Sequence, residues 1–163
     1  MKHTFSKTRT ITISAVIAAL YIALTYIGQG FAFGAYQVRF STAIYAMTYL
    51  FPFAAVPLAL ANALSNGLIG TLGPADVIGG FAVGLVTAGA GALIRKYKLP
   101  MPLVIPPIIL APAFMVPLWL SVILELPYWP LVINIGIGQT VPAILGYVLI
   151  KALSRRKAAD LYE

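Results

Sequence analysis

The chain has 163 residues, of which 61% are hydrophobic and 9% are charged, and its net charge is +7. A soluble domain carries about 25% charged residues, so this composition excludes an ordinary globular protein and indicates a polytopic membrane protein. The chain has no cysteine, which excludes a disulfide framework and a thiolate metal site. The positive charge lies at the edges of apolar segments, where it meets anionic lipid, and it does not indicate nucleic acid.

Six apolar segments follow one another, and they predict a single all-α membrane domain over residues 1–163. The predicted spans of this six-helix bundle cover residues 11–27, 38–51, 58–72, 76–94, 103–124 and 131–153. The first segment has no convincing small-residue cleavage site, so it is interpreted as a span and not as a signal peptide. Gly73-Pro74 ends the third span, and Asp76 is expected to be the N-cap of the fourth.

The basic residues predict the orientation of the bundle. Ten of the eleven Lys and Arg residues fall into three clusters, at the N-terminus, after the fourth span and at the C-terminus. With six spans these clusters share one side, which the positive-inside rule identifies as the cytoplasm. Both chain ends are therefore expected in the cytoplasm, and the cell membrane is the expected location.

Arg39 is the one basic residue outside these clusters, and it enters the second span from the outer side. An arginine in the middle of a membrane helix costs roughly 2.5–3.5 kcal/mol. Its head could reach outer water and lipid headgroups. Alternatively, it faces the bundle and binds a carbonyl or an anion of a ligand through its planar guanidinium, with Gln37 beside it.

Other polar side chains are predicted at the same outer level of the membrane. Asp76 could cap a helix, or it could accept hydrogen bonds from the ring N–H groups of a ligand. Asn62 and Asn66 share one face of the third span, because they are four residues apart. These amides could bond between helices, but together they favour a polar cavity. The predicted substrate-binding residues are Gln37, Arg39, Asn66, Asp76, Asn134 and Gln139.

Small residues recur every four positions on two spans. Gly80, Gly84 and Ala88 on the fourth span are expected to pack inside the bundle. Ala15, Ala19 and Ala23 on the first span could pack in the same way, or they could form a docking surface for a second membrane protein.

Several chemistries have no candidate residues. The sequence contains no phosphate-binding loop with Lys and Ser/Thr, and it has no His and carboxylate cluster for a metal. We therefore expect no enzyme activity and no cofactor in this chain. A stand-alone secondary carrier and a non-transport scaffold subunit are the rival interpretations. The first would need ion-coupling groups, which the sequence does not offer, and the second would need no outer cavity.

Two stretches of the sequence resemble a known transporter family. They are Phe33-Gly-Ala-Tyr-Gln-Val-Arg-Phe-Ser41 and Gly73-Pro-Ala-Asp-Val-Ile-Gly-Gly80, with Asn66 between them. With the alanine pattern of the first span, they resemble the QueT group of S components, the substrate-binding subunits of energy-coupling factor (ECF) transporters. The resemblance is greatest over the first four spans. At Thr42 this chain departs from the group, in which an acidic residue is expected.

The resemblance implies a mechanism and partners. An S component of this group would capture a small heterocycle, a queuosine precursor of the 7-deazaguanine type, in an outer pocket closed by loops such as residues 29–36. It would then associate with a transmembrane coupling subunit and two cytoplasmic ATPases, which use ATP. In this family the alanine pattern of the first helix meets the coupling subunit. The alternative is an S component for another vitamin-like substrate.

Overall fold

Helices account for nearly all of the described chain. The structure is a computed structural model that describes residues 6–32, 37–70 and 72–155. The α-helices are α1 Lys7–Ile27, α2 Gln29–Ala32, α3 Ala55–Leu68, α4 Pro74–Lys96, α5 Ile105–Met115, α6 Pro117–Ile123 and α7 Tyr128–Arg155. Three 3₁₀ helices cover Phe40–Tyr49, Pro52–Ala54 and Met101–Val104. No strand occurs among the described residues, so the prediction of an all-α fold is confirmed.

Four helical segments of the described chain are long and apolar enough to cross a membrane. They are Lys7–Ile27, Pro74–Lys96, Met101–Ile123 and Tyr128–Arg155. The predicted second and third spans correspond to shorter elements, the 10-residue 3₁₀ helix Phe40–Tyr49 and the 14-residue α3. Each of these is about 20 Å long, whereas a hydrocarbon core is about 30 Å thick.

The 3₁₀ helix Phe40–Tyr49, here called the central 3₁₀ helix, lies inside the bundle. Residues 41–46 are all buried, and the helix packs against α1, α4 and α7. Runs of 3₁₀ helix longer than three or four residues are uncommon. Two threonine side chains match the three-residue turn of this helix. The hydroxyls of Thr42 and Thr48 each lie within hydrogen-bond distance of the carbonyl oxygen three residues earlier. A rare backbone conformation is thus held at the centre of the fold.

The small residues of α4 allow close helix packing. A Cβ atom on Gly84 would lie 2.8 Å from the Cα of Ala59 on α3, which is too close for any side chain. Gly80 and Ala88 are also buried. The prediction that this stripe packs inside the bundle is confirmed, and the close approach of α3 and α4 brings their polar side chains together.

The start of α4 differs from the sequence prediction. Gly73, and not Asp76, is the N-cap, and Pro74 is the first residue of the helix. Gly73 has a φ of 81°, a left-handed conformation that glycine adopts without steric cost, and the fixed φ of proline suits the first helical position. The prediction of Asp76 as the N-cap is therefore wrong. Its carboxylate lies in the first turn of α4, where the helix dipole favours negative charge.

Candidate functional site

A polar cavity lies between the central 3₁₀ helix, α3, α4, α6 and α7. Five of the six residues predicted for substrate binding line it, namely Gln37, Arg39, Asn66, Asp76 and Gln139. The cavity is narrow, because the centre of a water molecule can move through only about 20 Å³ of it. That is room for about one water molecule.

The winding of the central 3₁₀ helix aligns polar side chains along the cavity. With three residues per turn, positions i, i+3 and i+6 lie directly above one another. Arg39 precedes the helix as its N-cap, and Thr42 and Tyr45 follow at this spacing. All three line the cavity. An α-helix has 3.6 residues per turn and would spread the same three side chains over an arc of about 120°.

Asn66 connects the arginine of the site with the start of α4. The Arg39 Nη2 group donates to Asn66 Oδ1, and Asn66 Nδ2 donates to the main-chain carbonyl oxygen of Asp76 over 2.9 Å. Because one end of the amide accepts and the other donates, these two bonds fix its orientation. Asn66 is only 4% exposed, so it holds the guanidinium at a defined distance from α4.

The two oxygens of the buried Asp76 carboxylate have different surroundings. Oδ1 accepts a hydrogen bond of 3.0 Å from the indole Nε1 of Trp119 on α6. Oδ2 is buried and has no hydrogen-bond partner among the described residues. A buried acceptor without a partner is costly, and it gives the cavity an oxygen that can accept from a ligand N–H.

Gln139 closes the cavity from α7. Its Nε2 donates to the main-chain carbonyl oxygen of Gln37 over 2.9 Å, and its Oε1 lies 2.7 Å from the Thr42 hydroxyl. That hydroxyl is also 2.7 Å from the Arg39 carbonyl oxygen, and its single proton is available to either acceptor. Gln37 has a φ of 44°, unusual for a residue other than glycine. The bond from Gln139 helps to hold this strained backbone.

Comparison with known protein families identifies the family of this chain. The model of the QueT transporter family matches residues 11–155, most of the chain. This chain belongs to the QueT transporter family. No curated protein and no solved structure matches it.

Membership in the QueT family makes the chain an S component of the ECF transporters. The resemblance noted in the sequence is confirmed, and the match extends beyond the first four spans to the end of α7. Transporters are not an enzyme class, and the long apolar helices are those of a multi-pass membrane protein. An S component binds a small molecule, so the polar cavity is the candidate substrate site of this QueT family member.

The sixth predicted site residue lies apart from this cavity. Asn134 is half-buried on α7 and is not among the residues that line the cavity. It precedes Gln139 by five residues, and five residues turn an α-helix by about 140°, so the two side chains leave α7 in different directions. A substrate-binding role for Asn134 stays a prediction.

Ten lining residues were not among the predicted site residues, and four of these ten carry polar side-chain groups. They are Thr42, Tyr45, Asn62 and Trp119. Asn62 was recognised as sharing a face with Asn66, and its Nδ2 donates to the Gly80 carbonyl oxygen over 2.6 Å. Trp119 and Tyr45 gave no usable signal, because single aromatic residues in an apolar membrane chain are ordinary. The 3-residue spacing of Arg39, Thr42 and Tyr45 is a signal only once a 3₁₀ helix is assumed.

The alanines of α1 lie on the outside of the described bundle. Ala15, Ala19 and Ala23 are all exposed, and Ala15 borders a shallow apolar groove between α1 and α3. Packing inside the chain therefore does not account for this pattern. Two sets of residues named in the predictions fall outside the described residues, namely residues 33–36 of the predicted closing loop and Lys2, Arg156 and Lys157 of the basic chain ends.

Proposed function

We propose that this QueT family member captures a 7-deazaguanine, a queuosine precursor, at the outer face of the cell membrane for an ATP-driven ECF importer. The observation that carries the proposal is that a guanidinium and a buried carboxylate oxygen line the same cavity. Arg39 supplies the donor, and Asp76 Oδ2 supplies an acceptor with no partner among the described residues.

The hydrogen-bonding edge of a guanine-type ring complements these two groups. This edge presents a carbonyl oxygen beside a ring N–H and an exocyclic amino group. Arg39 would donate to the carbonyl oxygen, and Asp76 Oδ2 would accept from the N–H groups. Such charge-assisted hydrogen bonds are about twice as strong as neutral ones. An adenine-type edge has an amino group in place of the carbonyl, so it would set a donor against Arg39.

Asp76 also accounts for the departure of this chain at position 42. The QueT group is expected to have an acidic residue there, whereas this chain has Thr42, whose hydroxyl lies 2.7 Å from Gln139 Oε1. In this proposal α4 supplies the carboxylate that the central 3₁₀ helix lacks. The acceptor for the ring N–H groups thus comes from a neighbouring helix of the same cavity.

Substrate entry requires the lining side chains to move. A bicyclic ring is several times larger than a water molecule, and the cavity has room for about one water. Binding would therefore widen the cavity, and the substrate would stabilise the wider conformation. In the importer, the S component would then engage the coupling subunit, and the two cytoplasmic ATPases would supply the energy. The charge pattern supports six crossings with both chain ends in the cytoplasm.

The experiment that tests the proposal is ligand titration of the purified protein in detergent. We expect 7-deazaguanine to bind and 7-deazaadenine to bind at least about a hundredfold more weakly, because two or more charge-assisted bonds are lost. Asp76→Asn should remove most of this preference. Glu125→Gln is the matched control, since Glu125 is an exposed carboxylate between α6 and α7.

Two results would contradict the proposal. Equal binding of the two ring types would show that the cavity does not read a guanine-type edge. A wild-type protein that binds neither ring, and that carries another small molecule in native mass spectrometry, would assign the site to a different vitamin-like substrate.

A further inference from the structure

Trp119 reaches the cavity from α6, the second half of a proline-containing membrane segment. The helical segment Met101–Ile123 divides at Val116, between α5 and α6, and Pro117 begins α6. Proline has no N–H to donate to the preceding turn, so one helical hydrogen bond is missing here while Val116 keeps helical backbone angles. Trp119 follows two residues later, and its partly buried side chain lines the cavity.

The polar atom of the Trp119 indole contacts the carboxylate of the site. Its Nε1 donates to Asp76 Oδ1 over 3.0 Å. An indole N–H is only a donor, so this bond occupies one acceptor site of Oδ1 and leaves Oδ2 available to a ligand. Because Asp76 is only 5% exposed, water cannot easily replace the indole as the partner of Oδ1.

A glycine on α4 provides the space in which the indole lies. A Cβ atom on Gly79 would lie 2.7 Å from three atoms of the Trp119 ring. Real Cβ contacts are longer than this, so any larger residue at position 79 would push the ring away. Gly79 follows Asp76 by three residues and therefore lies on the same side of α4. The ring position and the carboxylate position thus depend on each other.

We propose that Trp119 is a positioning residue for substrate selection, which rests on the function proposed above. By holding Oδ1, the indole fixes the rotation of the Asp76 side chain and directs Oδ2 to the N–H edge of the ligand. The preference for a ligand with an amino group beside its ring N–H then depends on three residues. Asp76 makes the contact, Trp119 fixes its direction, and Gly79 gives the indole its space.

The test compares two ligands that differ in one of the two N–H-bearing groups proposed to donate to Asp76, the exocyclic amino group. They are 7-deazaguanine and 7-deazahypoxanthine, which lacks the exocyclic amino group. We expect Trp119→Phe, which keeps a ring but removes the N–H, to weaken 7-deazaguanine binding by about tenfold. It should weaken 7-deazahypoxanthine binding less. Gly79→Ala should reproduce this loss of preference. The matched control is Gly89→Ala on the same helix, where an added Cβ meets no atom within 4 Å.

A double variant separates positioning from simple packing. If the indole acts through the carboxylate, Trp119→Phe should cost little further affinity in an Asp76→Asn background, because residues that act as one unit are not additive. Thermal unfolding of each variant in detergent checks that the protein is folded. Gly79→Ala is the second route to the same result if Trp119→Phe lowers stability.

The outcomes distinguish this inference from the function on which it rests. Wild-type affinity and preference in folded Trp119→Phe would overturn the inference alone. Equal losses for both ligands that add to those of Asp76→Asn would also overturn it, since the indole would then only pack. A wild-type protein that binds neither ring would overturn the proposed function and this inference with it.

Discussion

Arg39 lies where the central 3₁₀ helix begins, and its surroundings explain how a guanidinium is tolerated there. The side chain is half-buried, and it donates to the buried amide of Asn66. The same amide reaches the first turn of α4, so displacement of Arg39 would disturb the acidic side of the cavity as well. The hydrogen bond to Asn66 offsets part of the cost of burying this charge, and it gives the guanidinium a fixed direction.

Replacement of Arg39 by alanine should abolish high-affinity binding while the protein stays folded. Each hydrogen bond to a charged group contributes about 1.5–3 kcal/mol, so the loss should reach at least about a hundredfold if two such bonds are made. Arg39→Lys keeps the charge but not the planar pair of donors and should give an intermediate affinity. Calorimetric titration with 7-deazaguanine measures the affinity of the wild-type protein and of both variants.

The control for Arg39 is another arginine of the same chain. Arg95 lies at the end of α4 with its guanidinium 5.6 Å from the centre of the Tyr49 ring, away from the cavity. Arg95→Ala should leave the affinity unchanged. Undiminished binding by folded Arg39→Ala would remove Arg39 from the site.

The sequence revealed the charged and amide residues of the cavity better than the aromatic ones. A charge or an amide in an apolar segment stands out because burying it is costly, and this identified Arg39, Asp76 and Gln139. Trp119 has no such cost, and its role depends on a contact with a residue 43 positions away. Distances of that kind follow from helix packing, which no local pattern in this chain specifies.

At the scale of elements, the second predicted span is the one that the sequence described least well. Its apolar pattern predicts a short helix, and a helical element is present over Phe40–Tyr49, but its winding is 3₁₀. The difference matters because only this winding places Arg39, Thr42 and Tyr45 in one row. Tertiary packing against α1, α4 and α7 holds this backbone, and so it could not be inferred from local propensity.

The exposed face of α1 carries a prediction that concerns transport and not binding. Ala19 is exposed between Ala15 and Ala23, and small residues at this spacing let a second helix approach closely. Ala19→Phe would hold a partner helix away without disturbing the interior of this chain. Uptake of the substrate by cells that contain the complete transporter should therefore fall to near background, while the purified variant should bind 7-deazaguanine normally.

A neighbouring residue serves as the control for Ala19. Leu20 is 45% exposed on α1 and is already large, so Leu20→Phe should preserve both uptake and binding. Normal uptake with Ala19→Phe would exclude this face as the contact with the coupling subunit. A loss of folding in the same variant would mean that the stripe belongs to the chain's own packing.

At the scale of the whole molecule, charge and helix length each determine a different part of the topology. The clustering of Lys and Arg predicts which side is cytoplasmic, and four helical segments of the described chain have the length of a membrane span. The central 3₁₀ helix and α3 are shorter, and they contribute Arg39, Thr42 and Asn66 to the cavity. The central 3₁₀ helix and α3 could form two membrane crossings or one re-entrant pair. In either case the other four spans keep the same orientation.

Labelling of single cysteines distinguishes these two topologies, and the chain is suitable because it has no cysteine of its own. Leu99 and Leu126 flank the segment Met101–Ile123 and are 41% and 46% exposed, and Val56 lies at the start of α3 with 53% exposure. With six crossings, a membrane-impermeant maleimide should label Leu126→Cys in intact cells, and Leu99→Cys and Val56→Cys only after the membrane is permeabilised.

A re-entrant pair would leave Val56→Cys unlabelled under both conditions, because the reagent does not enter the hydrocarbon core. Labelling of Leu99→Cys but not Leu126→Cys in intact cells would reverse the orientation and place the chain ends outside.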